Sequence, residues 1–212
     1  MTRRVGDLRQ QTETRGDCRR HPVDYADWYT RATSRPDQMD YTAFRFAYAA
    51  SESFTPIPFD DDGEALDDAM ARGDWSAAAA VLDRLLPRGY ARAHLHLYAI
   101  IVYRALADPR AAHHEAVYDG LIESILQSGQ GTPDAPWVVI SVEEEYAVLG
   151  ALRLLSGEQD LLPVGDRQLD CISTVPRDDP SATPVDLHFD VTLAYEALGR
   201  VVRKRLNNPP PH

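Results

Sequence analysis

The chain predicts an α+β fold: tetratricopeptide-like helical hairpins packed on a small, mainly antiparallel sheet, closed by a C-terminal helix. Three observations carry that expectation. Gly73-Asp74-Trp75-Ser76-Ala77-Ala78 returns as Ala107-Asp108-Pro109-Arg110-Ala111-Ala112 at a shift of 34 residues, the period of paired-helix repeats. Val185 to Val191 alternates apolar and polar residues, the pattern of a half-buried strand. Trp137 to Val142 is a short, β-branched apolar run bounded by turn residues, the signature of a buried strand. Fewer than three repeats cannot bury their own faces, so the helical part must dock on the rest of the chain.

Taken in order, residues 1–21 are polar and mixed in charge and predict a disordered arm. Residues 22–206 read as a single α+β domain, helical over 22–129 and holding the sheet and further helices over 130–206, with 207–212 as a disordered tail. Helical patterns run from Tyr25 to Ala32 and from Tyr41 to Ala50, separated by Pro36. Phe54 to Asp60 reads as extended because Pro56 and Pro58 remove donors and fix φ. Four helices follow over Glu64 to Arg72, Ser76 to Leu86, Ala91 to Ala107 and Arg110 to Ser128, broken at Gly73, Pro87-Arg88-Gly89 and Asp108-Pro109. In the second half, Leu161 to Val164 and Gln168 to Val175 are candidate strands around the turn Gly165-Asp166, and Thr192 to Leu206 is the closing helix.

Composition bounds the function. With 212 residues, 44% hydrophobic and 26% charged, the chain can bury a core of its own. The net charge of −11 argues against nucleic acid or an anionic membrane as partner, since binding phosphates needs clustered Lys and Arg. It favours a basic or amphipathic protein. Cys18 and Cys171 show no CxxC spacing, and Met1 to His21 has no apolar run like a signal-peptide core, so a soluble, cytoplasmic chain is expected.

Few constellations can carry chemistry. Ser128-Gly129-Gln130-Gly131-Thr132 resembles a phosphate cradle but follows a helix and lacks the Lys of a P-loop; it reads as a helix end with Gly129 in the left-handed position. Glu143, Glu144 and Glu145 either start a helix, with Ser141 and Glu144 as a capping box, or continue a strand that carries Glu144 inward. In the second case burial raises its pKa and Glu144 or Glu145 becomes a candidate general base or metal ligand. Strand alternation places Asp186, His188 and Asp190 on one face, where they form either a candidate divalent-metal set or the wet side of the strand. His94 and His96 point in different directions on a helix, and no HExxH spacing is present. No GxSxG elbow, cysteine-nucleophile signature or GxGxxG after a strand occurs, and no cofactor is expected.

Several of these segments belong together. Tyr41-Thr42-Ala43-Phe44-Arg45 followed by Tyr48, Gly73-Asp74, Gly120-Leu121-Ile122-Glu123-Ser124-Ile125 running into Ser128-Gly129-Gln130-Gly131, then Glu144-Glu145-Tyr146 and Phe189-Asp190-Val191, resemble the bacterial domain-of-unknown-function family 4919 over about residues 41–191. Gln130 stands where an Asp is usual between the two glycines, which argues against a metal at that turn. The resemblance implies that the glycine turn and the Glu-Glu-Tyr segment share one framework, and it implies no activity.

Two functions follow. The first is a soluble acidic interaction module of the antitoxin, immunity or chaperone-like kind, contacting its protein partner through Asp60, Asp61 and Asp62 and the helical face of His94 and His96. The alternative is a hydrolase or other small-molecule enzyme, with or without a metal, using Glu144, Glu145 and His188. That alternative requires the carboxylates and the histidine to converge on one reacting atom. Oligomeric state is left open by the sequence.

Overall fold

The computed structural model describes residues 24–54 and 60–207. The arm expected over 1–21, most of the extended stretch expected between Phe54 and Asp60, and the tail from 208 lie outside those residues. Among the described residues, helices α1 (Tyr25–Ser34), α2 (Tyr41–Ala50), α3 (Asp60–Ala71), α4 (Trp75–Leu85), α5 (Ala93–Ala105) and α6 (Arg110–Leu126) form the helical part. They lead into β1 (Trp137–Val138), α7 (Val142–Ala151), β2 (Leu154–Val164), β3 (Arg167–Pro176), β4 (Val185–Asp190) and α8 (Thr192–Asn207). The architecture is α+β.

The 34-residue repeat has a structural counterpart in two matching helix ends. Helix α3 stops where Gly73 takes φ 68°, with Asp74 N bonded to Ala69 O at 2.9 Å and Gly73 N to Met70 O at 3.0 Å. Helix α5 stops where Ala107 takes φ 53°, with Asp108 N on Tyr103 O at 2.8 Å and Ala107 N on Arg104 O at 3.0 Å. Both are Schellman caps, and in both the aspartate that follows turns its carboxylate to the next helix. Asp74 accepts from Ala77 N, and Asp108 from Arg110 N. The hairpins α3/α4 and α5/α6 pack side by side, and α2 lies on α6.

That last contact depends on Gly120. A Cβ there would come within 2.1 Å of the Tyr41 ring, which is held by its hydroxyl donating to Pro36 O.

The sheet has the order β1-β4-β3-β2. Strand β3 is antiparallel to both β4 and β2, and only the two-residue β1 pairs in parallel, so the sheet is mainly antiparallel as expected. Gly165, at φ 64°, occupies the first position of the two-residue β2–β3 turn, the place for glycine in a type II′ hairpin. Ile172, Thr174 and Phe189 lie on the buried face, with Phe189 against the Trp137 ring at 5.6 Å. The core is continuous from the helices to the sheet, joining Phe44, Leu82 and Leu121 to Val139, Val148 and Ile172.

Four expectations are corrected. The run from Trp137 to Val142 is a strand only at its first two residues; Val139 and Ile140 are buried in the turn into α7. The strand expected at Leu161 begins seven residues earlier, at Leu154. The helix expected from Glu64 begins four residues earlier, so Asp60, Asp61 and Asp62 form the first turn of α3, a placement that suits the positive end of the helix dipole. Gly129 is not left-handed: it is required because Pro136 O lies 2.2 Å from where its Cβ would be, while the positive φ of 68° falls on Gly131, against Trp137.

Candidate functional site

Helix α7 organises the polar interior. Successive residues on a helix are separated by about 100°, so Glu143, Glu144 and Glu145 point to three different neighbours. The helical alternative for this segment is the one observed. Ser141 makes no side-chain cap, and the Glu144 carboxylate reaches one residue further back, to Ile140 N at 2.9 Å.

Glu144 faces α2. Arg45, fully buried, donates from Nε to Glu144 Oε1 at 2.8 Å and from Nη2 to Oε2 at 2.6 Å. The same guanidinium reaches Ser124 Oγ at 3.3 Å and Val138 O at 2.9 Å. One side chain thereby ties α2, α6, β1 and α7 together. Ser128 Oγ, about one turn beyond Ser124, accepts from Val138 N at 2.8 Å. The segments Tyr41 to Tyr48, Ser124 to Gly131 and Glu144 to Tyr146 are thus joined in one framework.

Glu143 faces α5, with Oε1 at 3.9 Å from Nη1 of the buried Arg92. His94 sits beside this pair, and burial, with a lesser contribution from Arg92, lowers its pKa to about 4 against the pull of Glu143. Glu145 faces the sheet. It is fully buried, neither carboxyl oxygen has a hydrogen-bond partner, and burial followed by the charges of Asp170, Glu143 and Glu144 raises its pKa to about 9. At neutral pH it is a neutral acid.

Asp170 on β3 is the residue the sequence concealed. It is 7% exposed, with Oδ2 accepting from Gln159 Nε2 at 2.5 Å and Oδ1 without a partner. Burial raises its pKa, while Gln159 and the Cys171 backbone oppose the rise. Asp170 lies in the middle of a strand with no motif around it, and nothing short of the β2–β3 register points to it.

A second polar cluster lies between α5 and α6. His96 is fully buried with Nε2 at 2.7 Å from Tyr90 O, an atom that only accepts, so Nε2 carries the proton. In the neutral ring Nδ1 then accepts from His114 Nδ1 at 2.9 Å. Burial, with the neighbouring His114, lowers His96 to about 3, and burial with His113 lowers His114 to about 4. His96 is therefore an interior residue, while His94 is half-buried. The expected helical contact face for a partner is corrected at His96 on that ground. Asp62 is likewise engaged, by Arg84 at 2.9 Å and Arg88 at 3.0 Å, while the side chains of Asp60 and Asp61 lie outside the described ones.

Asp186, His188 and Asp190 do share a face, as alternation predicts, since they pair with Ser173, Cys171 and Leu169. They do not form a metal centre: among the described residues no group of three such side chains is placed to hold an ion. The reason is spacing. Alternate residues of a strand lie about 6.7 Å apart, Asp186 is exposed, and Asp190 Oδ1 is taken by Thr192 N at 3.1 Å and Oγ1 at 2.6 Å at the start of α8. Cys171, opposite His188, is a free half-buried thiol whose pKa is raised by burial and by Asp186. Asp170 alternates with Cys171, so Glu145 and Asp170 lie on the side of the sheet opposite to His188. Glu144, Glu145 and His188 do not converge.

Exposed apolar side chains stand on α7 (Val142, Tyr146), on α8 (Tyr195, Leu198, Val202) and on β2, where Leu161 faces the side of Asp170 and α7 and Leu162 the opposite side. Among the described residues no helix is long and apolar enough to cross a membrane. The class defined by these features is an α+β protein with a helical-repeat part, a buried charged hub on α7 and an open strand edge. No protein-family model matches the chain, and no curated protein or solved structure is found to be similar to it.

Proposed function

We propose that this chain is an acidic protein-interaction module, of the antitoxin, immunity or chaperone-like kind, that receives a basic or amphipathic segment of a protein partner along β2 and the adjoining surface of α7 and α8. The observation that carries the reading is β2 itself. It is an 11-residue strand at the end of the sheet, exposed over its last nine residues, with Leu161, Leu162 and Val164 each at least 40% exposed. An edge of this length presents a row of unused backbone donors and acceptors roughly 35 Å long. A bulge between Ser156 and Gln159, together with Glu158, Asp160 and Pro163, guards it against indiscriminate pairing. The exposed leucines remain to reward a matched segment. The net charge of −11 steers that segment toward basic composition. The resemblance to domain-of-unknown-function family 4919 is part of the proposal only as a common framework, with no activity attached.

The test is affinity capture of partners from source-cell extract at low and at moderate salt, run beside the double variant Leu161→Arg/Leu162→Arg. Both positions are exposed, so the fold should persist, as circular dichroism will check. A stoichiometric protein partner, weakened by salt and lost in the double variant, is the expected result. Retention of that partner by the variant, or no partner at either salt, overturns the reading.

A further inference from the structure

The surface between α7 and α8 encloses a cleft of about 80 Å³ lined by Val142, Asp170, Val191, Ala194, Tyr195 and Leu198. Its walls are aliphatic apart from the Tyr195 ring, and its one acidic lining side chain is Asp170, more than nine-tenths buried with Oδ1 unpartnered. A buried carboxylate oxygen without a donor costs free energy, and a matching cation recovers it.

We propose that this cleft is a recognition pocket for a lysine side chain of the partner protein, its methylenes lying against Val142, Val191, Ala194 and Leu198 and its ammonium donating to Asp170 Oδ1. The inference rests on the interaction reading above and names the residue by which the partner is recognised. Three features select lysine. The cleft has room for about five water-sized groups, the length of a lysine side chain beyond its Cα. Gln159 already occupies Oδ2, leaving one oxygen; a point-like ammonium needs only one, whereas the planar guanidinium of arginine is satisfied by two. The carboxyl of Glu145 stays protonated at neutral pH, so Asp170 is the one carboxyl there for an ammonium to hold in its ionised form. The aliphatic stem removes apolar wall from water while the head is paired, the arrangement that long basic side chains adopt at interfaces.

The experiment is a titration of the full chain, isotope-labelled for NMR, with an acetylated and amidated Val-Thr-Lys-Thr-Val peptide. Counterparts carry norleucine or arginine at the centre, and butylammonium is added separately. The expected result is a shift of the Asp170, Ala194 and Leu198 amide signals by the lysine peptide, with affinity at least tenfold above the other two peptides. Asp170→Asn, which keeps shape and removes charge, should abolish that preference. Equal binding of the norleucine peptide, or an unchanged preference in Asp170→Asn, overturns the pocket; if the β2 signals still shift, the interaction reading survives it. Butylammonium shifting these signals while the lysine peptide does not would make the cleft a free-amine site and overturn the proposal. No shift with any probe overturns it as well. Glu145→Gln is a second variant that preserves the neutral state and should leave the lysine preference intact.

Discussion

At the scale of single residues, the two helix ends of the repeat provide an internal control. Gly73 and Ala107 occupy the same left-handed position, yet only one of them is glycine. A Cβ on Gly73 would meet nothing within 4 Å, so Gly73→Ala tests backbone conformation without a clash. The variant should lose about 1 kcal/mol, the cost of a left-handed alanine, and Ala107→Gly should gain somewhat less because glycine also gains freedom in the unfolded chain. Urea denaturation with an unchanged m-value is the measurement; an equal loss in both variants would show that φ is not what these positions are selected for.

At the scale of elements, α7 is held to α2 by the Arg45–Glu144 pair, and the sequence signals for this were local and incomplete. The capping-box pattern identified a helix start, but the partner of Glu144 lies 99 residues away. Arg45→Met or Glu144→Leu alone should cost about 3–5 kcal/mol, since each leaves a buried charge unpaired. The double variant should cost clearly less than the sum, because two apolar groups replace the pair. A double-mutant cycle by chemical denaturation gives the coupling; additivity within error would mean that the two side chains act independently. Strand β2 was legible only at Leu161 to Val164 for a related reason. Its Ser156-Gly157-Glu158-Gln159-Asp160 centre has no alternation, because both faces of this edge strand are exposed, and only pairing with β3 makes it a strand.

At the scale of the whole molecule, two buried titrating clusters oppose each other. His96 and His114 bind a proton below about pH 6.5 when unfolded but resist it in the fold down to about 3 and 4, so their contribution is present above pH 6.5 and lost as pH falls. Glu145 keeps in the fold, up to about pH 9, a proton that the unfolded chain releases near 4.5. Its contribution is present below pH 4.5 and lost as pH rises through 9. Stability should therefore peak at weakly acidic to neutral pH and decline on both sides. Thermal melts from pH 4 to pH 9 measure it. Glu145→Gln should flatten the alkaline side and steepen the acid side between about pH 4.5 and 6.5, where Glu145 opposes the histidines, whereas an alkaline decline as steep as that of the parent would mean that Glu145 is ionised in the fold.

Sequence patterning by itself determined the fold class, the 34-residue repeat, most helix positions and the shared face of Asp186, His188 and Asp190. Each of these follows from periodicity within one element or from the identity of cap and turn residues, which act over a few positions. The tertiary structure alone decided which carboxylates are buried and whom they meet: Glu144 on Arg45, Glu143 beside Arg92, Glu145 near Asp170. It also turned His96 inward and separated His188 from the glutamates by the thickness of the sheet. The physical reason is the range of the interactions. A helix or strand period assigns a residue to a face, but whether that face is desolvated, and which charge lies across from it, depends on elements about 20 to 100 residues away, whose packing no local pattern encodes.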